Sequence, residues 1–255
     1  MVPVSLFRDK VFTGAGFSLV LLTFANGGLM LVLTQYLQFV LGYSATETGL
    51  AFAPMAVAVI AFNGIGAALL PKTGNRIVAV LGLLVIAAGF GTLATLSEGD
   101  GWGLITTAML LMGAGGGLAM PAAIAALTGA VPEEHAGVGS ALNDTIQQAG
   151  AALGVAILGA VLSTTYRNEL PDSAPEAAEE SLAAALRIPA LADAARDAFT
   201  QAMANSFVAG GIGVVVAAAL AAVLLRGRDK NAANGTSTET GPGRAGDDKT
   251  LTPTA

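Results

Sequence analysis

Residues 132–166 read PEEHAGVGSALNDTIQQAGAALGVAILGAVLSTTY, and their pattern decides how the rest of the chain is read. Pro132 followed by Glu133 and Glu134 is a helix-start signature, and no later proline interrupts the run. At 100° per residue, Ser140, Asn143, Asp144, Gln147 and Gln148 fall within an arc of about 140°, and Leu142, Ile146, Ala149 and Leu153 lie opposite. Gly150 and Gly154 continue beside the polar side with the small-xxx-small spacing that lets two helices approach closely. Lipid cannot satisfy a face of amides and a carboxylate. Such a face at membrane depth must point at other helices or at a water-filled cavity.

The composition agrees with a membrane setting. Of 255 residues, 54% are hydrophobic and only 12% charged, against about 25% charged in soluble domains. The charges are segregated into short segments between long apolar runs. No cysteine is present, which excludes disulfides, thiolate metal sites and cysteine nucleophiles. The single histidine, His135, sits in a short acidic loop and is assigned no role. No basic cluster suggests nucleic acid. No metal-ligand cluster and no nucleophile–base pair suggests an enzyme, and no cofactor is expected.

A hydrocarbon core of about 30 Å needs roughly 20 apolar residues of helix. Six stretches reach that length, at about 11–38, 46–70, 77–96, 102–127, 133–166 and 199–225. The first is too long for a signal peptide and is read as a retained span. The second opens with Ser44-Ala45-Thr46-Glu47, a capping box. The expected fold is therefore an all-α polytopic membrane protein with six transmembrane helices. Arg8 and Lys10, Lys72 and Arg76, and Arg226, Arg228 and Lys230 occupy one alternating set of connections, which places both termini in the cytoplasm of a multi-pass plasma-membrane protein. The 167–198 connection reads as an extracytoplasmic helical cap, with one helix over 177–187 that Pro189 ends and a second running into the sixth span. The 227–255 tail has a disordered composition.

Polarity is unequal among the spans. Asn26 lies mid-span in the first and Asn63 in the second, and the cluster already described lies in the fifth. The third and sixth are nearly free of polar groups. Spans one, two, four and five are thus expected to face a cavity, and three and six to face lipid. In the fourth span, Gly113-Ala114-Gly115-Gly116-Gly117 followed by Pro121 allows either a pivot or simple close packing. It is not a phosphate loop, since no strand precedes it and no lysine follows. Asp144 admits two readings, a working carboxylate of a permeation pathway or a packing and interfacial residue.

Taken together, these residues resemble the C-terminal half of a major facilitator superfamily transporter, with greatest likeness to the fourteen-span drug:proton antiporter family. The run Gly137-Val138-Gly139-Ser140-Ala141-Leu142-Asn143-Asp144, continuing through Gln147-Gln148 to Gly150 and Gly154, is similar to that family's penultimate span. Ser5-Leu6-Phe7-Arg8, the Gly113–Pro121 run and the long loop before the last span fit as well. Pro71-Lys72-Thr73-Gly74-Asn75-Arg76 resembles the superfamily's basic loop, though it lacks the acidic residue usual there.

The resemblance implies six spans arranged as two three-helix inverted repeats, half of a rocking transporter. It implies proton-coupled efflux of small amphiphilic or drug-like compounds when the chain is paired with an N-terminal half, or with a second copy. Asp144, the one carboxylate in a span interior, is then the proton carrier this chain offers. The competing expectation is a non-transporting assembly partner or an inactive truncated remnant. A split gene, a truncated gene or a fragment would each account for the missing half.

Overall fold

The computed structural model describes residues 10–96, 102–132, 134 and 136–224. Arg8, Glu133, His135, the basic run Arg226, Arg228 and Lys230, and the tail 227–255 lie outside the described residues. Regular structure among the described residues is entirely helical. The long helices are α1 (Lys10–Gln35), α3 (Ala53–Ala94), α4 (Trp102–Thr128), α5 (Ala136–Glu169) and α8 (Ala192–Leu224). Short helices α2 (Ala45–Ala51), α6 (Glu176–Glu180) and α7 (Leu182–Ala185) lie in the connections.

α1 ends in a π-helical turn, Tyr36–Val40, and Gly42 at φ +72° turns the chain. Ser44 then caps α2 as the sequence predicts. Its hydroxyl accepts from the Glu47 amide at 3.3 Å, and the Glu47 carboxylate accepts from the Ser44 amide at 2.8 Å. Pro54 has no N–H to continue the ladder, and the helix restarts at Ala53. Replacing Ser44 with Ala should destabilise α2 by about 1 kcal/mol. Hydrogen exchange should show faster amides over 45–51 and unchanged protection in α4.

Among the described residues, five helices are long and apolar enough to cross a membrane. One of them, α3, is 42 residues long, about twice what a bilayer needs. It is broken at Gly74, which adopts φ 80° and ψ 157°, a conformation open to glycine. Contacts with α4 show that the chain reverses there. In the first leg, Met55 and Ala58 meet Gly113, and Val59 and Asn63 meet Gly117, so the leg runs parallel to α4. In the second leg, Gly82 meets Ala119 while Gly89 meets Met112, so that leg runs antiparallel. The five helices therefore supply six membrane-length legs, and the expected second and third spans are both present.

The same approach recurs between α1 and α5. Gly150 packs on Val20 and Thr23, Gly154 on Phe24 and Gly28, and Gly28 on Leu158. α8 returns antiparallel to α5: Tyr166 stacks edge-on to Phe199 with ring centroids 6.2 Å apart, and Ser206 donates to the Leu158 carbonyl at 3.4 Å. α8 also meets the second leg of α3 through Phe90 and Phe207, centroids 5.9 Å apart. Thus α5 leans on α1 while the first leg of α3 leans on α4. This crosswise exchange is what two inverted three-helix repeats produce.

α8 begins at Ala192 and carries the amphipathic stretch without a break into the sixth span. Two boundaries differ from the sequence reading. α5 runs from Ala136 to Glu169, starting later and ending later than expected. The single helix expected over 177–187 is two short ones, parted at Ser181 in extended conformation (φ −151°, ψ 120°). Glu179 and Glu180 close α6 at its C-terminal end, where the helix dipole does not favour carboxylates, so the dipole does not account for the break. The cap lies over α5, with the Tyr166 hydroxyl donating to the Ala178 carbonyl at 3.2 Å.

Exposure is distributed differently from the polarity argument. The third and sixth legs each bury one face, through Leu83, Ile86, Phe90 and Leu93 and through Met203, Phe207, Val214 and Ala217. The least enclosed elements are α5 and the first leg of α3, each resting mainly on one glycine-lined neighbour. Only 22% of the apolar window of α5 is buried, against 61% for α1. Ile60 and Val57 on α3 remain 76% and 64% exposed.

Candidate functional site

Asn26 and Asn63, far apart in sequence, meet at one cavity of about 180 Å³ between α1, both legs of α3 and α4. Leu22, Val59 and Ile86 give it apolar walls, and Met55, Met112 and Met120 surround it with thioethers. Methionine is unbranched and polarisable, so such a wall adapts to ligands of different outline. Both asparagine residues are exposed, and among the described residues neither side chain makes a hydrogen bond within the chain. That removes interhelical hydrogen bonding inside this chain as the reason for Asn26. The methionines were missed in the sequence reading although a signal was available: Met112, Gly116 and Met120 recur every four residues, one face of α4.

The α5 stripe forms a second, separate polar patch. Gly139, Gly150, Gly154 and Leu158 are buried along the line that faces α1 and the α4–α5 connection. This line sets the rotation of α5. Asn143 and Gln147 fall close to it and are half-buried, while Ser140, Asp144 and Gln148 lie to one side and are exposed. Asp144 is eight residues from the start of α5, about 12 Å along the axis. The Asn143 amide donates to an Asp144 carboxylate oxygen at 3.3 Å. The other polar atom of that side chain, Asn143 Oδ1, is buried without a hydrogen-bond partner. An orphaned buried acceptor costs about 1–3 kcal/mol, so the pair is held in a state with unused acceptor capacity.

The two patches do not share this cavity. None of the stripe residues lines the Asn26–Asn63 cavity. α1 stands between them, because the glycine line of α5 is spent on contact with α1. Gly27, next to Asn26, lies against Ala151, about one turn beyond Gln147 and Gln148.

The packing residues fall on close contacts. A Cβ at Gly117 would meet the Val59 carbonyl at 2.7 Å, and a Cβ at Gly113 would lie 2.8 Å from Ala58 Cβ. α4 continues through Pro121, which denies the Gly117 carbonyl its helical donor, and Gly66 approaches that carbonyl. Lys72 is exposed and Arg76 half-buried, on either side of the Gly74 reversal. Among the described residues no group of three His, Cys, Asp or Glu could hold a metal ion.

The sequence profile of the Major Facilitator Superfamily matches residues 2–166. The chain is 30% identical over 172 residues to the multidrug transporter protein MdtP of Bacillus subtilis, an alignment covering 68% of this chain and 32% of that protein. It is 39% identical over 138 residues to the puromycin resistance protein pur8 of Streptomyces alboniger, covering 52% of this chain and 27% of that one. It is 27% identical over 172 residues to the tetracenomycin C resistance and export protein of Streptomyces glaucescens, covering 68% and 32%. The chain thus spans about a third of the length of the relatives it matches. Helices of membrane length, legs in crosswise packing and a profile match over most of the chain lead to one assignment: this multi-pass membrane protein belongs to the Major Facilitator Superfamily.

Proposed function

We propose that the chain forms one half of a proton-coupled exporter of small amphiphilic or drug-like compounds, rather than an enzyme. One observation carries the reading. Polar side chains at membrane depth, Asn26 and Asn63 at the cavity and Asp144 on α5, stay exposed and are not closed off by the chain's own helices. Lipid cannot satisfy them. A second half-transporter, either an N-terminal half or a second copy of this chain, supplies the facing wall, and solute passes between the two. The export and resistance roles of the relatives support the substrate class. Asp144 is the group proposed to exchange a proton, with Ser140, Asn143, Gln147 and Gln148 as its polar surroundings. The bilayer is that of the plasma membrane, with both termini on the cytoplasmic side, following the lysine and arginine distribution.

The competing reading is a membrane assembly partner that does not itself transport. Thiol labelling separates the two, because the native chain contains no cysteine. Single cysteines at 140, 144 and 148 in the native assembly should react with a membrane-impermeant maleimide from one side of the membrane. Adding substrate or a proton gradient should change their rates. Shielding of all three positions under every condition would leave only a packed helical anchor.

A further inference from the structure

The glycine run of α4 is not uniform. Gly113, Gly115 and Gly117 face other helices: a Cβ at Gly115 would meet the Gly82 carbonyl at 2.5 Å, and one at Gly117 the Val59 carbonyl at 2.7 Å. At Gly116 an added Cβ would meet nothing within 4 Å. Yet Gly116 is half-buried and lines the Asn26–Asn63 cavity between Met112 and Met120. Helix packing therefore explains three glycines and leaves the fourth without a packing role. A glycine inside a helix costs about 1 kcal/mol relative to alanine; Gly64 and Gly91 are equally unpacked, but Gly116 differs from them in lining the cavity.

From this we infer that Gly116 determines the size and shape of the compounds the cavity accepts. Its bare backbone is a flat floor between two methionine side chains, with the Asn26 and Asn63 amides at the cavity wall. Glycine permits close approach of a ligand to the backbone. A planar, largely apolar ring fits that floor, with thioethers closing on its edges and a polar or cationic substituent reaching the two amides. Within this chain the lining holds no charged side chain. Recognition by this half thus rests on shape and amide hydrogen bonding, and a charge on the ligand is answered elsewhere. Side chains of increasing size at 116 fill the floor without disturbing α4.

The inference deepens the efflux reading and rests on it for the nature of the ligand, so the test has two independent arms. In the assembled transporter, ethidium serves as a large planar probe and methyl viologen as a smaller one. Gly116→Leu should reduce ethidium export by about tenfold to a hundredfold, the range over which pocket size discriminates, and methyl viologen export far less. Its thermal unfolding midpoint should match that of the parent. In the second arm, the sole thiol of Gly116→Cys should react with N-ethylmaleimide, ethidium should slow that reaction, and the buried control Ala119→Cys should stay unreactive. An unreactive thiol at 116, labelling indifferent to ethidium, or equal loss of both probes in Gly116→Leu would overturn the assignment. If the parent exports neither probe, the efflux reading fails, and protection of the thiol alone then decides whether Gly116 floors a ligand site.

Discussion

Gly154→Leu is expected to destabilise the folded chain strongly and to lower its unfolding midpoint. At this position the backbones of α5 and α1 are in contact: an added Cβ would fall on the Phe24 carbonyl and stand 2.8 Å from its carbon and 3.0 Å from the Gly28 amide nitrogen. Both obstacles are backbone atoms of a regular helix, so neither can rotate away as a side chain would. The neighbouring contacts are of the same kind, with Gly27 against the Ala151 carbonyl and Gly150 against Val20. One longer side chain therefore separates the two helices along several turns. Ordinary overpacking costs about 1–3 kcal/mol. A clash that parts two backbones lies at or above the top of that range, a large part of a typical stability of about 5–15 kcal/mol. Association of helices in lipid relies on this close packing, because apolar burial against a neighbour gains little over burial in lipid tails. The measurement is the unfolding midpoint in detergent together with the yield of monodisperse protein. Gly64→Ala and Gly91→Ala are the controls. A Cβ at either meets nothing within 4 Å, and both should match the parent or gain up to about 1 kcal/mol. A parental midpoint for Gly154→Leu would show that α1 and α5 do not meet there.

The contrast between Gly154 and Gly64 marks how far the sequence could be read. Six legs were legible because each is an apolar run of membrane length, and the reversal in 71–76 was legible because Gly74 stands amid proline and basic residues. The Ser44–Glu47 capping box was legible because its chemistry is complete within four residues. The rotation of each helix about its own axis was not. It is set by which glycine touches which carbonyl on another helix, and a sequence lists glycines without their partners. For that reason the sequence does not reveal that the α5 stripe lies outside the cavity lined by Asn26 and Asn63. The break at Ser181 was hidden because alanine-rich sequence favours continuous helix. In α4 the four-residue spacing of Met112, Gly116 and Met120 marks one helix face, but spacing alone does not separate a cavity wall from ordinary core packing.

Asp144→Asn should uncouple the transporter while leaving its fold intact. Asn143 donates to the Asp144 carboxylate through its amide nitrogen, and its own carbonyl oxygen is buried without a partner. An ionised carboxylate can only accept, so it can use only the donating end of Asn143. A protonated carboxyl gains an O–H and so changes which partners it can use, and exposed Asp144 is free to exchange that proton. A carboxamide at 144 has nearly the same outline as the acid and carries a permanent donor, so it imitates the protonated form and cannot release a proton. Energised export should fall to the level of membranes lacking the protein. Passive exchange of substrate across the membrane should continue, since the pathway keeps its shape and its polarity. Asp144→Glu should restore part of the coupling because it returns a titratable group to the stripe. Reconstituted vesicles report both quantities, with an imposed pH gradient driving export and labelled substrate measuring exchange at equal pH. Full proton-driven export by Asp144→Asn would remove Asp144 as the carrier and move that role to the opposing half. Loss of exchange together with export would instead indicate a structural part for Asp144, since a variant impaired only in proton release still carries its substrate down a gradient.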